Sequence, residues 1–300
     1  MNAVILAGGF GKRLQPLTFD TPKPMLKICN IPMLDYCVNQ AKYFGINDIV
    51  FTLAYLPQKI TERSAIYDNV RCRFSIEREP MGTFGGVKLA QEFLDESFFV
   101  LSGDGLNNID LGAMAKSHFD SGAPVTIALT KSDTPWLYGV VEVDDTGKVK
   151  AFYEKPREYR GNIVNTGVYL MDKKLLSFLP DGCYDFAKDL FPLVLKNASI
   201  NTYFHDGYWN DIGNPKSYFD SNFFVLKNGG FPWIKKPCII EKNSSLVGES
   251  SRVDGLLDEC IIDENCIAKG NFKKCLFVGG VNVEEDGENA IFTPHGKIQL

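Results

Sequence analysis

The sequence is poor in histidine and has no closely paired cysteines. Only three histidines occur in its 300 residues, and none of its eight cysteines falls in a Cys-x-x-Cys pair. Because zinc sites use closely spaced cysteine and histidine ligands, we do not expect a zinc centre. The cysteines are predicted to be reduced and mostly buried as small hydrophobic side chains. They are Cys29, Cys37, Cys72, Cys183, Cys238, Cys260, Cys266 and Cys275.

The chain also lacks an excess of basic residues and any long apolar run. Its formal net charge of -5 argues against general nucleic-acid binding. No apolar stretch reaches the length of a membrane span, and the N-terminus enters a strand without a signal-peptide pattern. We therefore predict a cytoplasmic protein that has neither a nucleic acid nor a membrane as its partner. The composition, 45% hydrophobic and 23% charged, is otherwise ordinary for a globular protein.

The N-terminal segment contains a strand followed by a glycine-rich loop. Residues 2–7 form a short apolar run, and residues 8–11 contain three glycines. Glycines leave backbone N–H groups free to converge on one point and let a phosphate approach closely. Arg13 and Lys23 add cations suited to phosphate oxygens. The segment therefore predicts a polyphosphate site, although it matches neither the P-loop nor the dinucleotide-binding pattern.

The pattern of apolar residues predicts an α/β fold. Strands and helices alternate along residues 2–101, as in a mainly parallel sheet flanked by helices. From residue 124 the pattern changes to strands of period two, which we expect to form a layer over that sheet. A helix capped by Asp185 is predicted to be kinked or split at Pro192. Asn228-Gly229-Gly230 makes a natural boundary, so residues 1–230 are predicted as one domain.

Residues 231–300 are predicted to form a second domain. Isolated aliphatic or aromatic positions recur there at spacings near six, which is typical of a hexapeptide-type parallel β-helix, here expected to be short and left-handed. These positions are Ile239, Leu246, Val253, Ile261, Ile267, Phe272, Phe277, Val283 and Ile291. A few coils have little core of their own and must pack on the main domain or on another subunit. Homo-oligomerisation through the β-helix is one such arrangement.

Two aspartates are candidate magnesium ligands. Asp104 follows the fourth predicted strand, and the carboxyl ends of parallel strands form the ligand crevice of an open sheet. We therefore expect it at the sheet edge that bears the glycine loop. A carboxylate facing a triphosphate needs a cation between them, and Mg²⁺ typically takes one or two carboxylates plus phosphate oxygens. The second carboxylate we choose is Asp211, in the segment Tyr208-Trp209-Asn210-Asp211-Ile212-Gly213, although each aspartate taken alone is more typical of a turn or a helix cap.

The first loop as a whole resembles the signature of the sugar-1-phosphate nucleotidyltransferases. The matching string is Leu6-Ala7-Gly8-Gly9-x-Gly11-x-Arg13-Leu14-x-Pro16-Leu17-Thr18, followed by Pro22-Lys23-Pro24. The late segment Trp209-Asn210-Asp211-Ile212-Gly213 resembles the family's Trp-x-Asp-x-Gly element. The resemblance implies a Rossmann-like fold and nucleotide binding by Leu6, Ala7, Gly8, Gly9, Gly11, Lys12, Arg13 and Asp104. It also implies catalytic roles for Arg13, Lys23 and Asp104. Lys12 stands where many members carry threonine, and the segment 105–108 departs from the commoner family wording.

Further motifs resemble the family's sugar and base sites. Tyr138-Gly139, Glu154-Lys155 and Asn165-Thr166 resemble elements that bind the sugar phosphate. Glu77, Pro80, Gly82 and Thr83 resemble the loop that reads the base. In pyrimidine-specific members a glutamine commonly stands where this chain has Glu77. An ionised carboxylate offers only acceptors, whereas guanine presents two adjacent donors, so Glu77 favours guanine. Glu77 as an exposed strand end, and Glu-Lys-Pro as a solvated one, remain the alternatives.

The resemblance implies magnesium-dependent nucleotidyl transfer. A sugar 1-phosphate, here expected to be mannose 1-phosphate, attacks the α-phosphate of a nucleoside triphosphate, here expected to be GTP, and pyrophosphate leaves. Heptose 1-phosphate with a guanine nucleotide, or glucose 1-phosphate with a pyrimidine nucleotide, are alternatives within the family. A regulatory subunit that binds nucleotide sugars without catalysis is the alternative of another class.

Overall fold

The computed structural model describes residues 1–234, 240–242 and 244–300, so Cys238 and Ile239 lie outside the described residues. The chain divides into two compact units. Unit 1 comprises Met1–Gly9 and Cys37–Asp211, and unit 2 comprises Phe10–Tyr36 and Ile212–Leu300. A domain division at residue 230 stays a prediction. No helix of the described residues combines the length and apolarity needed to cross a membrane.

Unit 1 is built on a nine-stranded sheet and one separate strand pair. Its strands are β1 (Asn2–Leu6), β2 (Asp48–Leu53), β3 (Arg71–Ile76), β4 (Ser97–Ser102), β5 (Gly105–Asn107), β6 (Val125–Lys131), β7 (Gly139–Val143), β8 (Val149–Glu154), β9 (Ile163–Asp172), β10 (Asn201–Phe204) and β11 (Trp209–Asp211). The main order is β8-β7-β9-β4-β1-β2-β3, while β6 pairs with β9 and β10. The separate pair is β5 with β11. The predicted α/β fold with a mixed sheet is confirmed.

The expectation of a separate layer from residue 124 onward is wrong, because those strands continue the same sheet. β4, β1, β2 and β3 are parallel neighbours, and β9 joins them antiparallel to β4. β9 is ten residues long, so one end pairs with β4 while the other reaches β7. Its pairing with β6 shifts register between Asn165 and Tyr169. The length and the shift of β9 let one sheet contain both halves of the pattern.

Six α-helices occur in the described residues: α1 (Met33–Tyr43), α2 (Pro57–Ser64), α3 (Gly82–Leu89), α4 (Leu111–Ser121), α5 (Phe191–Asn197) and α6 (Pro215–Asn228). Local signals explain their ends. The side chain of Asn214 accepts a hydrogen bond from Ser217 N–H in a capping box, and Gly229 ends α6 with a φ of 73°. The predicted split at Pro192 is confirmed, since a π-helical turn, Phe186–Leu190, precedes α5. Asp185 does not cap this segment through its side chain, which instead accepts hydrogen bonds from Thr83.

The core of unit 1 lies between the sheet and the helices that cover it. Val4, Val50 and Val100 from the central strands are fully buried with Phe84 of α3 and Phe191 of α5. Burying apolar strands on both faces leaves only the strand ends open to ligands, as expected for parallel strands in an open sheet. None of the seven described cysteines forms a disulfide, and five of them are buried, as predicted.

Unit 2 contains the predicted C-terminal β-helix, which is confirmed as a short β-helix. Its strands are β12 (Ile240–Lys242), β13 (Ser245–Val247), β14 (Arg252–Asp254), β15 (Leu257–Asp258), β16 (Ile261–Ile262), β17 (Ile267–Lys269), β18 (Phe272–Phe277), β19 (Asn282–Val283), β20 (Gly287–Thr293) and β21 (Gly296–Gln299). Parallel partners are fifteen residues apart throughout, as in Leu246 with Ile261. The expectation of hexapeptide-type coils is therefore wrong, because three repeats of six residues would make coils longer than fifteen residues. Its left-handed sense stays a prediction.

Candidate functional site

The carboxyl ends of β1 and β4 bring the glycine loop and Asp104 to one edge of unit 1. Leu6 pairs with Ser102 in the parallel register, and Gly103 N–H donates to Leu6 O at 3.0 Å. A β-carbon on Gly103 would lie 2.7 Å from that carbonyl oxygen, so only glycine permits this approach. The predicted placement of Asp104 at the edge reached by Gly8 is confirmed.

One candidate metal ligand, Asp104, lies just before β5, and the other, Asp211, lies on β11, the strand that pairs with β5. β5 begins directly after Asp104, and Asp211 of β11 pairs with Gly105. Residues directly opposite each other in an antiparallel pair have Cα atoms about 4.5–5.5 Å apart, so Asp211 lies across from the residue that follows Asp104. Ser102 Oγ donates to Asp104 Oδ1. The strand that follows Asp104 pairs with the segment that ends in Asp211.

This pair of carboxylates suits a magnesium ion better than a zinc ion. Among the described residues, no group of three or more histidine, cysteine, aspartate and glutamate side chains could hold a metal. Two carboxylate donors are an incomplete set for a metal bound by protein alone. They match a magnesium ion that takes further oxygens from a phosphate ligand and water.

Glu77 turns back toward the first loop of unit 1. Its Oε2 accepts a hydrogen bond from Met81 N–H at 3.0 Å. Its Oε1 lies beside two glycines, since a β-carbon would be 3.3 Å from it at Gly8 and 2.6 Å from it at Gly86. Burial raises the pKa of Glu77, and the Met81 hydrogen bond partly opposes that shift. The carboxylate is therefore a half-buried acceptor next to the glycine loop.

The rest of the base-loop motif contacts the segment before α5. A β-carbon on Gly82, which has a φ of 71°, would lie 2.5 Å from Tyr184 O. Thr83 donates to Asp185 Oδ1 through both its N–H and its hydroxyl, each at 3.2 Å. Pro80 is exposed. Asp185, which the sequence suggested only as a helix cap, thus holds this loop; no local pattern indicated that contact.

The predicted sugar-site motifs on β7 and β8 come together. Gly139 pairs with Glu154, and a β-carbon on Gly139 would lie 2.6 Å from the Phe152 ring and 3.2 Å from Glu154 Oε2. Lys155 has a φ of 45°, its N–H donates to Tyr138 O at 3.0 Å, and its Nζ lies 3.4 Å from Glu154 Oε1. Positive φ values at residues other than glycine are strained and concentrate at functional sites. The backbone of Lys155 is thus held in a strained conformation by the hydrogen bond to Tyr138 O.

Asn165 and Thr166 shape the irregular part of β9 with their side chains. Thr166 Oγ1 donates to Ala128 O at 2.8 Å, and Asn165 Nδ2 donates to Tyr169 Oη at 2.7 Å. Trp209 Nε1 donates to Thr166 O at 2.9 Å. The Trp209 ring also packs edge-on against Tyr138, with centroids 4.9 Å apart.

Trp209 is a candidate site residue that the sequence motif contained but to which no role was assigned. It lies two residues before Asp211 on β11, and alternate residues of a strand share a face. The spacing in the Trp-x-Asp element could therefore have placed Trp209 on the same face of its strand as Asp211, the second predicted metal ligand, but not beside the sugar motifs.

Unit 2 carries Gly11, Lys12, Arg13 and Lys23. Gly11 has a φ of 60°, and its β-carbon would lie 2.9 Å from Thr18 Cγ2 and 3.3 Å from Lys23 Cβ. Thr18 Oγ1 donates to Gly11 O at 2.9 Å. Lys23 is only 6% exposed, whereas Lys12 and Arg13 are exposed on a short 3₁₀ turn. The loop therefore folds back so that its last glycine contacts the second predicted cation.

Comparisons with known proteins agree on one family. A sequence model of the family described as nucleotidyl transferase matches residues 2–228. The mannose-1-phosphate guanyltransferase of Aspergillus oryzae is 33% identical over 84% of this chain and 68% of its own length. That of Yarrowia lipolytica is 35% identical over 76% of this chain and 65% of its own length. The chain thus spans about two thirds of the length of these relatives.

Solved structures share the fold of the larger part of the chain. HddC from Yersinia pseudotuberculosis, complexed with GMP-PN, has a TM-score of 0.65 and 29% identity, covering 74% of this chain and 97% of its own. A Bacillus anthracis protein described as a glucose-1-phosphate thymidylyltransferase has a TM-score of 0.69 and 25% identity, covering 75% and 95%.

Proposed function

Because this chain belongs to the nucleotidyl transferase family, as its N-terminal signature predicted, we propose that it joins GTP and mannose 1-phosphate. The products are GDP-mannose and pyrophosphate. Enzymes of this kind act on a nucleoside triphosphate and a sugar 1-phosphate and generally use a divalent metal. The observation that carries the proposal is the pairing of β5 with β11, in which Asp211 lies opposite Gly105, the residue after Asp104.

The choice of guanine rests on Glu77. Its carboxylate offers acceptors, one of which already binds Met81 N–H, and its other oxygen lies beside Gly8. Guanine has two adjacent N–H donors that match a carboxylate, whereas uracil and thymine present a donor next to acceptors. A guanine nucleotide analogue bound to a relative and the guanyltransferase names of others support the same choice.

The chemistry requires positioning and charge neutralisation. An oxygen of the sugar phosphate is already an anion, so it attacks the α-phosphorus without a protein nucleophile, and the bond to the leaving pyrophosphate breaks in line. We assign Arg13 to the pyrophosphate, Lys23 to the α-phosphate and Lys155 to the incoming sugar phosphate. Asp104 and Asp211 would hold Mg²⁺, which when bound would neutralise phosphate charge.

The contacts of the sugar motifs support a sugar subsite. Gly139 leaves room that a side chain would fill, and Tyr138 O holds the strained backbone of Lys155. We assign Glu154 to a sugar hydroxyl, with Tyr138 and the segment Asn165-Thr166 as the walls of the subsite. A cytoplasmic location and an oligomer formed through the β-helix remain parts of the proposal that rest on sequence pattern.

A matrix of substrates tests the proposal. Pyrophosphate release is measured with each of GTP, ATP, CTP, UTP and dTTP against mannose, glucose and heptose 1-phosphates, in the presence of Mg²⁺. We expect the highest kcat/KM for GTP with mannose 1-phosphate. A maximum with heptose 1-phosphate, or with a pyrimidine triphosphate and glucose 1-phosphate, would replace the proposed substrates. Binding of GDP-mannose by calorimetry without turnover of any pair would instead indicate a regulatory subunit.

A further inference from the structure

The C-terminal β-helix contacts the N-terminal segment on both sides of Lys23. Both belong to unit 2, although more than 200 residues separate them in sequence. We propose that the β-helix positions the segment that carries Arg13 and Lys23, and that Asp263 and His295 are positioning residues of the transfer reaction. This inference rests on the proposed function, because it concerns the two cations assigned to the phosphates.

The first anchor lies four residues after Lys23 and is partly buried. Lys27 Nζ forms an ion pair with Asp263 Oδ1 at 2.7 Å; the Lys27 side chain is 34% exposed, whereas Asp263 is only 7% exposed. Asn30 Nδ2 donates to Ile262 O at 3.1 Å, next to Asp263 in the chain. Desolvated and hydrogen-bonded charge pairs hold geometry more firmly than exposed pairs, since removing one partner leaves the other buried without compensation.

The hairpin that presents Lys27 is itself rigid. Its two short strands, Lys27–Ile28 and Ile31–Pro32, are joined by Cys29 and Asn30, whose φ values of 47° and 65° are those of a tight hairpin turn. Cys29 N–H donates to the buried Asn222 Oδ1 of α6 at 2.8 Å. Lys23 begins a 3₁₀ turn, Lys23–Met25, and only Leu26 lies between that turn and the hairpin. An anchor at Lys27 therefore restricts the backbone of Lys23.

The second anchor lies before Lys23 and is exposed. His295 Nε2 lies 2.6 Å from Asp20 Oδ2, and the His295 ring packs edge-on against Phe19, with centroids 5.2 Å apart. His295 occupies the turn between β20 and β21, where Thr293 Oγ1 accepts its N–H at 3.1 Å and donates to Gly296 O at 2.9 Å. The last hairpin of the β-helix thus presents an imidazole to the stretch between Arg13 and Lys23.

Two anchors on either side of one cation have a defined consequence. A charged side chain stabilises a transition state only if it is already held where charge develops, because ordering it during the reaction costs entropy. Loss of the contact between His295 and Asp20 should increase the range of positions that Arg13 and Lys23 sample. We therefore expect kcat/KM to fall while the fold persists, with a larger loss for the partly buried anchor at Asp263 than for the exposed one at His295.

Kinetics of four variants test the proposal: His295→Ala, Asp20→Ala, the double variant and Asp263→Asn. His295→Ala should lower kcat/KM for the triphosphate about 3- to 10-fold, the range for one exposed pair plus a ring contact. The double variant should be no worse than the poorer single variant, because both changes break one contact. Glu284→Ala is the matched control, since it breaks an ion pair with Lys269 within the β-helix and should not change the rate.

Limited proteolysis provides a readout that does not depend on catalysis. Trypsin can cleave the Arg13–Leu14 bond, whereas Pro24 protects the bond after Lys23. Mass spectrometry should detect several-fold faster cleavage after Arg13 in His295→Ala and Asp263→Asn than in the wild type or Glu284→Ala, at a temperature at which all four proteins are folded. Equal cleavage rates, or multiplicative losses in the double variant, would overturn the positioning role. If cleavage is faster in these variants but the wild-type protein turns over no substrate pair, the proposed function would be refuted, whereas the anchoring of the N-terminal segment by the β-helix would be supported.

Discussion

Replacing Glu77 with glutamine isolates the base-reading group from every other part of the site. The change preserves shape and removes one charge. Met81 N–H donates to Oε2 at 3.0 Å, so the amide of the variant must keep its oxygen at that position. The amide nitrogen then occupies the position of Oε1 beside Gly8 and Gly86. One acceptor therefore becomes a donor at a known place.

The size of the effect follows from that exchange. Guanine would meet a donor where it needs an acceptor, and one hydrogen bond to a charged group would be lost. Such a bond contributes about 1.5–3 kcal/mol, which corresponds to about a 10- to 150-fold fall in kcat/KM for GTP. A pyrimidine edge gains a matching donor and acceptor from the same amide. The ratio of kcat/KM for GTP to kcat/KM for UTP should therefore fall by at least that factor.

The assay is pyrophosphate release with GTP, UTP and dTTP at a fixed concentration of sugar phosphate. Glu79→Gln is the matched control, because Glu79 lies in the same loop and is exposed. Glu79→Gln should leave the ratio of the rate with GTP to the rate with UTP at its wild-type value. An unchanged ratio of GTP to UTP in Glu77→Gln would refute the base assignment. The same loss in Glu79→Gln would show that the charge of the loop, and not a contact to the base, is responsible.

Three further predictions concern the metal, the sugar and the stability of the fold. In Asp211→Asn the Mg²⁺ concentration for half-maximal rate should rise at least about tenfold, or about 1.4 kcal/mol; an unchanged magnesium titration would exclude Asp211 as a ligand. Gly139→Ala should raise KM for the sugar phosphate and spare KM for GTP, because the new methyl group would meet Phe152 at 2.6 Å; equal effects on both substrates would contradict the subsite. Burial lowers the pKa of His118, with Asp172 opposing the shift, so the unfolded chain binds the proton first. Stability to urea should therefore fall as the pH drops through about 6.5 towards the folded-state pKa, and His118→Gln should flatten that slope.

The acidic range offers a linked check on Glu77. Burial raises the pKa of its carboxyl, so protonation on acidification begins at a higher pH than in an unburied glutamate. Protonation replaces one acceptor by a hydroxyl donor, and the preference for GTP over UTP should weaken as the pH falls. A preference with the same pH dependence in the wild type and in Glu77→Gln would assign that dependence to another group.

Local patterns in the sequence were enough to predict the elements and the family. The run at residues 2–7 with its glycines, the alternation of strands and helices, and the split at Pro192 each depend on neighbours a few residues apart. The string from Leu6 to Lys23 predicted the nucleotidyl transferase family, which the comparisons confirm. The presence of a C-terminal β-helix was likewise readable from its repeating apolar positions.

Contacts between distant residues were decided by the tertiary structure. The spacing near six led to the wrong coil length. The register between coils is fifteen residues, because the turns between the faces differ in length. The strands after residue 124 joined the main sheet because the length of β9 allowed it. Asp211 came to lie opposite Gly105, the residue after Asp104, only through the pairing of β5 with β11, two segments about 100 residues apart.

The physical reason is the range of the forces involved. Backbone preference, capping and apolar periodicity act within a turn or a strand, so the sequence by itself determined which segments became helices, strands and glycine loops. Which strand edges pair, which carboxylates meet and what supports the cations of the first loop depend on packing all candidates at once. The contact of His295 with Asp20 joins residues 275 apart in the chain, and nothing in the sequence near either residue indicates it. The tertiary structure alone decided that the last hairpin of the β-helix would contact the N-terminal segment at Phe19 and Asp20.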